Sequence, residues 1–84
     1  MMITEITEPI TVAAVFSEGR ITPRQFRWRG RRYRVEEVLG QYHYHKGVYR
    51  QNCYTLKCGT PDIYEVTFDT EDMSWRLDRM HLEG

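Results

Sequence analysis

The sequence predicts an all-β protein, a small antiparallel meander of six or seven strands forming an SH3-like or OB-like barrel or a coiled half-barrel. Three observations predict it. Apolar residues recur at every second position, and no window holds the 3.6-residue period of a helix. Turn signals containing glycine break the chain at short intervals. The alternation leaves each strand one apolar face, and a twisted sheet buries such a face most simply by curling on itself. Eighty-four residues make one domain, read as a single β domain over 1–84 with an ordered core from about 9 to 80. A chain of this length buries only about 60% of its unfolded surface, so the core is thin. Tyrosine and tryptophan, which bury large areas per residue, suit it.

The elements follow in order. In "ITVAAVF", Ile10, Val12, Ala14 and Phe16 share a face, and Gly19 ends the run. Pro23 has no N–H to donate and fits the start of a strand. Next comes "RQFRWRGRRYRVEEVL", residues 24–39, with six arginines. It reads as a hairpin turning at Arg29-Gly30 or Gly30-Arg31, where glycine supplies the positive φ of a primed turn. Either register puts Phe26, Trp28, Tyr33 and Val35 on one face and Arg27, Arg32 and Arg34 on the other. The ringed face must be the core side, since a one-residue slip would bury the arginines. Val35 and Val38 are out of phase, so a bulge is expected at Glu36-Glu37. "QYHYHKGVYR" reads as a second hairpin turning at Lys46-Gly47, with Tyr42, Tyr44 and Tyr49 on one face and His43 and His45 on the other. In "NCYTLKC", Tyr54, Leu56 and Cys58 are in phase, and "GTPD" is a turn signal. The last hairpin sets Tyr64, Val66 and Phe68 opposite Trp75 and Leu77, with the acidic stretch 69–73 as a solvated turn. The predicted core is Val12, Phe16, Phe26, Trp28, Tyr33, Val35, Val38, Leu56, Val66, Phe68, Trp75 and Leu77.

Charge is balanced in total and uneven along the chain. Residues 20–50 carry nine basic side chains against two glutamates, while residues 1–19 and 51–84 are net acidic by 3 and 4. The balanced total argues against a protein that coats DNA, and the local excess permits a basic patch. The acids at the N-terminus do not suit a signal peptide, and "ITVAAVF" is too short to span a bilayer, so the expected place is the cytoplasm, with no membrane partner. Cys53 and Cys58 would point to opposite faces of one strand, which favours two reduced thiols over a disulfide.

Between Pro23 and Leu39, "F-R-W-R-G-R-R-Y-R-V", and between Tyr64 and Arg79, "Y-E-V-x-F-D … W-R-L-D-R", the chain resembles a small bacterial family of uncharacterised all-β proteins classified as a domain of unknown function. The resemblance covers roughly residues 9–80. Some members are encoded near Y-family DNA polymerases, which implies a link to DNA repair and brings no catalytic residues to carry over.

Several chemistries compete for the polar residues. Arg27 stands opposite Arg32 or Arg34, and like charges across a strand pair are destabilising unless something compensates. Nucleic acid, DNA or RNA, would compensate if Arg27, Arg29, Arg31, Arg32 and Arg34 held phosphates and Tyr42 and Tyr44 stacked bases. Carboxylates of the same fold would also compensate, with Glu36, Glu37, Glu65 or Asp78 beside the arginines. A metal could sit between His43, His45, Cys53 and Cys58, with His81 as a further ligand, but the tighter ligand pairs of structural zinc sites are missing, and no metal or cofactor is expected. No nucleophile elbow, HExxH or phosphate-cradling glycine loop is present, so no enzyme is expected. The sequence therefore points to a small binding module that contacts nucleic acid through its basic hairpin, as an accessory in DNA repair. The alternative is a protein–protein adaptor, with a repair protein as partner, using exposed tyrosines or an open sheet edge.

Overall fold

In a computed structural model, residues 2–83 are described. They form seven strands: β1 Met2–Ser17, β2 Arg20–Trp28, β3 Arg31–Arg34, β4 Glu37–Lys46, β5 Tyr49–Lys57, β6 Ile63–Asp69 and β7 Ser74–Leu82. All pairings are antiparallel, in a single sheet of order β3-β2-β1-β7-β6-β5-β4. The sheet is coiled but not closed into a barrel, so of the three predicted shapes the half-barrel is the one that forms.

The long first strand organises the coil. Its first half, from Met2 to Ile10, pairs with β7, and its second half, from Thr11 to Ser17, pairs with β2. Bulges interrupt it between Glu5 and Glu8 and between Ala13 and Ala14. Bulges bend and over-twist a strand, so β1 can serve two parts of the sheet at different angles. The pairing of Met2–Glu8 with β7, and the run of β7 to Leu82, carry the sheet past both expected limits of the core.

Glycine fixes two turn types. At Glu18-Gly19 and Arg29-Gly30 both central residues have positive φ, the type I′ pattern, which decides between the two registers open for the basic hairpin. In the β4–β5 hairpin Lys46 still pairs with Tyr49, so the turn is Gly47-Val48 and not Lys46-Gly47. Gly47 alone has positive φ there, as a type II′ turn requires.

The expected bulge at Glu36-Glu37 is a different device. The Val35 amide donates to the Arg24 carbonyl, and the next amide, of Glu36, donates to the Lys57 carbonyl. The chain thus steps from one edge of the sheet to the other within two residues, with Val35 tied to β2 and Glu36 to β5. The phase change that separates Val35 from Val38 is this crossing. The bulge itself lies between Val38 and Gly40 and turns Leu39 outward.

The inner face carries the core. Phe26, Tyr54, Leu56, Tyr64, Val66, Phe68, Trp75 and Leu77 are buried, with Val12, Trp28, Tyr33, Val35 and Val38 packed around them. Cross-strand neighbours make its layers, as in Tyr54–Val66–Leu77 and Phe68–Trp75–Ile10. Phe26 stacks on Tyr33 with centroids 4.8 Å apart, and Phe68 lies 4.9 Å from Trp75. Phe16 departs from the prediction and is 60% exposed. It lies beyond Ile10, where β1 has lost β7 as a neighbour, and only its edge reaches Phe68. Trp28 is half-buried, with its Nε1–H donating to Glu8 Oε1 at 2.9 Å.

Both cysteines are free. Burial, with a smaller contribution from the Glu36 carboxylate, pushes the Cys58 thiol up to about 11. Cys53 is 5% exposed. Since the thiolate is the reactive form, neither should react readily with a disulfide reagent at pH 8 in the folded protein, and both should react at once in denaturant. Rapid labelling of two thiols without denaturant would contradict this packing.

Candidate nucleic-acid interface

The outer face of the sheet divides into two regions of opposite character. Over β7, β6, β5 and the first half of β1, every charge has a partner nearby. Arg76 is the hub. Its guanidinium donates to Asp78 Oδ1 at 2.7 Å, Gln51 Oε1 at 3.3 Å and the Tyr44 hydroxyl at 3.0 Å, and lies 3.8 Å from Asp69. Gln51 Nε2 donates to Asp69 Oδ1 at 2.8 Å, and Thr67 donates to Asp78. Beside them Arg79 bridges Glu5 and Glu65, and His81 contacts Glu65. Glu36 lies 4.0 Å from Lys57.

Gln51, Thr67 and Asp69 are buried although they point away from the apolar core. Tyr44 and Arg76 lie across them, which makes this a second, polar layer. Asp69, expected in a solvated turn, is held below its ordinary value of 3.8 by the Gln51 amide first and by the Glu71 backbone N–H second. A depressed carboxylate stabilises the fold above its ordinary pKa, and that contribution is lost as pH falls through the folded value. Asp69→Asn should therefore lower the melting temperature at pH 7, and the gap to the native protein should shrink as pH falls below 3.8. Thermal melts across pH check it.

The other region spans the second half of β1 with β2 and β3. Register aligns two outward rows, Thr11–Arg27–Arg32 and Ala13–Gln25–Arg34. The short side chains of Thr11 and Ala13 leave a shallow trough of about 180 Å³ against Arg27 and Arg32. No acid lies in either row. Among the described residues, Arg24, Arg27, Arg31, Arg32 and Arg34 form no ion pair. Of the four acids weighed as partners, Glu65 and Asp78 are taken by Arg79, His81 and Arg76, Glu36 faces Lys57, and Glu37 forms no ion pair among the described residues.

The remaining candidate residues are not gathered there. Arg29 sits at the turn and donates to Glu8 at 2.6 Å, with its guanidinium 4.7 Å from the Trp28 ring centre. That contact, then the Trp28 indole, holds the Glu8 carboxyl below its ordinary range. Arg31 pairs with Trp28 on the inner side and lies over the Tyr33 ring. Tyr42 and Tyr44 project from the outer face, 55% and 44% exposed, but from β4 at the opposite edge of the sheet from β3. The arginine rows and these tyrosines therefore do not form one strip along the sheet, and Tyr44 is already bound to Arg76. Contact with Cys53 holds the Tyr42 hydroxyl above its ordinary range.

The histidines and Cys53 are also separated. Cys53 is opposite Tyr42 and His43 is opposite Asn52, so thiol and imidazole point to opposite faces. Among the described residues no three His, Cys, Asp or Glu side chains come together as a metal site would need. No helix is long and apolar enough to cross a membrane.

A family model described as a domain of unknown function, DUF6504, matches residues 1–81. The chain belongs to that family. The match takes in all of β1 to β6 and β7 as far as His81, so the DUF6504 domain includes both the neutral polar layer and the uncompensated arginine rows. No curated protein and no solved structure matches the chain.

Proposed function

We propose that this DUF6504 domain acts by binding, not by catalysis, and that the outer face of β1, β2 and β3 holds the phosphate backbone of nucleic acid, as an accessory in DNA repair. One observation carries the reading. Three arginines, Arg27, Arg32 and Arg34, stand on adjacent strands without an ion pair, while three of the four acids that could have served them, Glu36, Glu65 and Asp78, are paired elsewhere. Guanidinium groups suit phosphate because their planar fork offers paired donors. The trough floored by Thr11 and Ala13 gives a strand room to lie between side chains. Phosphate contacts position a nucleic acid and do not read its bases, so binding is expected to be sequence-tolerant.

The test is fluorescence anisotropy of labelled single-stranded DNA, duplex DNA and RNA at low and physiological salt. Affinity should fall steeply with salt, since each phosphate neutralised releases counterions. Affinity that ignores salt, or no binding even at low salt, would sink the reading.

A second reading, a protein–protein adaptor, is favoured by the open edge of β4. This strand pairs only with β5, and every one of its ten residues except Val38 is exposed. An edge of that length can accept a strand from a partner. Slowed amide exchange along β4 in the presence of a partner, with the arginine charges reversed, would favour it.

A further inference from the structure

A cleft of about 420 Å³ opens on the inner side of the coil, away from the arginine rows. One wall is the β1–β2 turn, with Arg20 and Ile21, and the other is β4–β5, with Gln41, His43, Arg50 and Asn52. β2 and β4 are five places apart in the sheet order, so only the coiling brings them to the two sides of one opening. Buried Tyr54 forms part of the lining.

The lining contains two arginines and no aspartate or glutamate. Arg50 is held in place without being neutralised. Its Nε–H donates to Asn52 Oδ1 at 2.9 Å and its terminal N–H to His43 Nδ1 at 3.1 Å. Both acceptors are uncharged side chains when His43 accepts through Nδ1, so the guanidinium keeps its full charge and has further N–H donors to offer. Its backbone is fixed as well, because the Arg50 carbonyl accepts from the Thr70 amide at 3.1 Å and the Thr70 hydroxyl at 2.8 Å. Arg20 forms no ion pair among the described residues.

We infer that this cleft binds a phosphate monoester of nucleotide size, its phosphate held by Arg20 and Arg50. The charge selects an anion, and the preset fork of Arg50 suits the paired oxygens of a phosphate. The volume lies within the usual range of about 300–1,000 Å³ for small-molecule sites, well beyond a bare ion. The Gln41 amide adds a donor and an acceptor for the rest of the ligand. The phosphate can belong to a free mononucleotide or to the 5′ end of a strand. This site uses none of the residues of the arginine rows, so it stands or falls separately from them.

The test is an NMR titration of the intact domain with AMP, adenosine and inorganic phosphate, then with 5′-phosphorylated and 5′-hydroxyl oligonucleotides. AMP should shift the amide signals of Arg20, Arg50 and Asn52, and adenosine should not. Arg20→Gln with Arg50→Gln should weaken AMP at least tenfold while the spectrum stays dispersed, and Arg50→Lys should weaken it less. Arg27→Glu with Arg32→Glu should leave AMP binding unchanged. A preference for the 5′-phosphorylated strand over AMP would assign the phosphate to a strand end. No binding of either AMP or the 5′-phosphorylated strand at about 10 mM, where even contacts near the millimolar limit register, would overturn the inference. So would equal binding of adenosine, or AMP binding that survives loss of both arginines.

Discussion

Leu77→Ala is expected to lower the melting temperature by roughly 12–40 °C. Leu77 is fully buried, on the inner face of β7, the middle strand of the sheet. Its cross-strand neighbours are Val66 on one side and Glu8 on the other, so the sheet backbone limits how far the space can collapse. Buried Leu→Ala changes cost about 3–5 kcal/mol because the lost transfer energy is joined by a cavity. Stability of about 0.05–0.15 kcal/mol per residue gives a domain of 84 residues about 4–13 kcal/mol in all. In a domain of this size each kcal/mol moves the midpoint by about 4–8 °C. Leu39→Ala is the control, since Leu39 is exposed and its loss should stay within about 0.5 kcal/mol. Urea titration read by the fluorescence of buried Trp75 gives both values. Equal shifts for the two leucines would mean that the sheet does not coil around the face bearing Leu77.

Reversal of Arg27 and Arg32 together to glutamate should reduce nucleic-acid affinity by about 100-fold or more at low salt. A hydrogen bond to a charged group is worth about 1.5–3 kcal/mol, so two lost contacts reach that size before repulsion is added. The salt dependence should flatten, since log K falls by about 0.7 per tenfold rise in salt for each phosphate neutralised on a single strand. Stability should hardly change, because one like-charged cross-strand pair replaces another. The single change Arg27→Glu is more telling. It sets opposite charges across β2 and β3, and should raise stability by tenths of a kcal/mol while it weakens binding. Stability and affinity then move in opposite directions, as expected of a surface kept cationic for a ligand. Unchanged affinity in both variants would remove this face from any role in binding.

The hairpins were legible in the sequence because their signals are local. Alternation across "FRWRGRRYR" forces Phe26 and Tyr33 inward and Arg27 and Arg32 outward, whichever turn forms. The same holds for Tyr64, Val66 and Phe68 against Trp75 and Leu77. The pairing of β1 with β7 was not legible, since it joins segments some seventy residues apart and half of "ITEITEP" is polar. Nor was the buried polar layer. Gln51, Thr67 and Asp69 read as surface residues until Arg76 and Tyr44 are seen lying over them. The cleft of Arg20 and Arg50 depends on coiling across five strands, which no local pattern encodes. The arginine rows were visible as a face, but their lack of partners was not, because it depends on where Glu65 and Asp78 lie.

The meeting of β1 and β7 at the centre of the sheet also constrains how the chain is made. Synthesis runs from one end, and hairpins β1–β2 and β4–β5 can form as they appear. The strand that joins them, β7, emerges after the other six. Until Ser74–Leu82 has left the ribosome, β6 and the first half of β1 both present unpaired edges, and Leu56, Val66 and Phe68 have no lid. Such late, non-local closure slows folding and leaves apolar edges open to other chains. A nascent chain stalled before Ser74 would therefore be sensitive to protease and prone to associate, and release of about ten more residues would convert it to the folded domain in a single step.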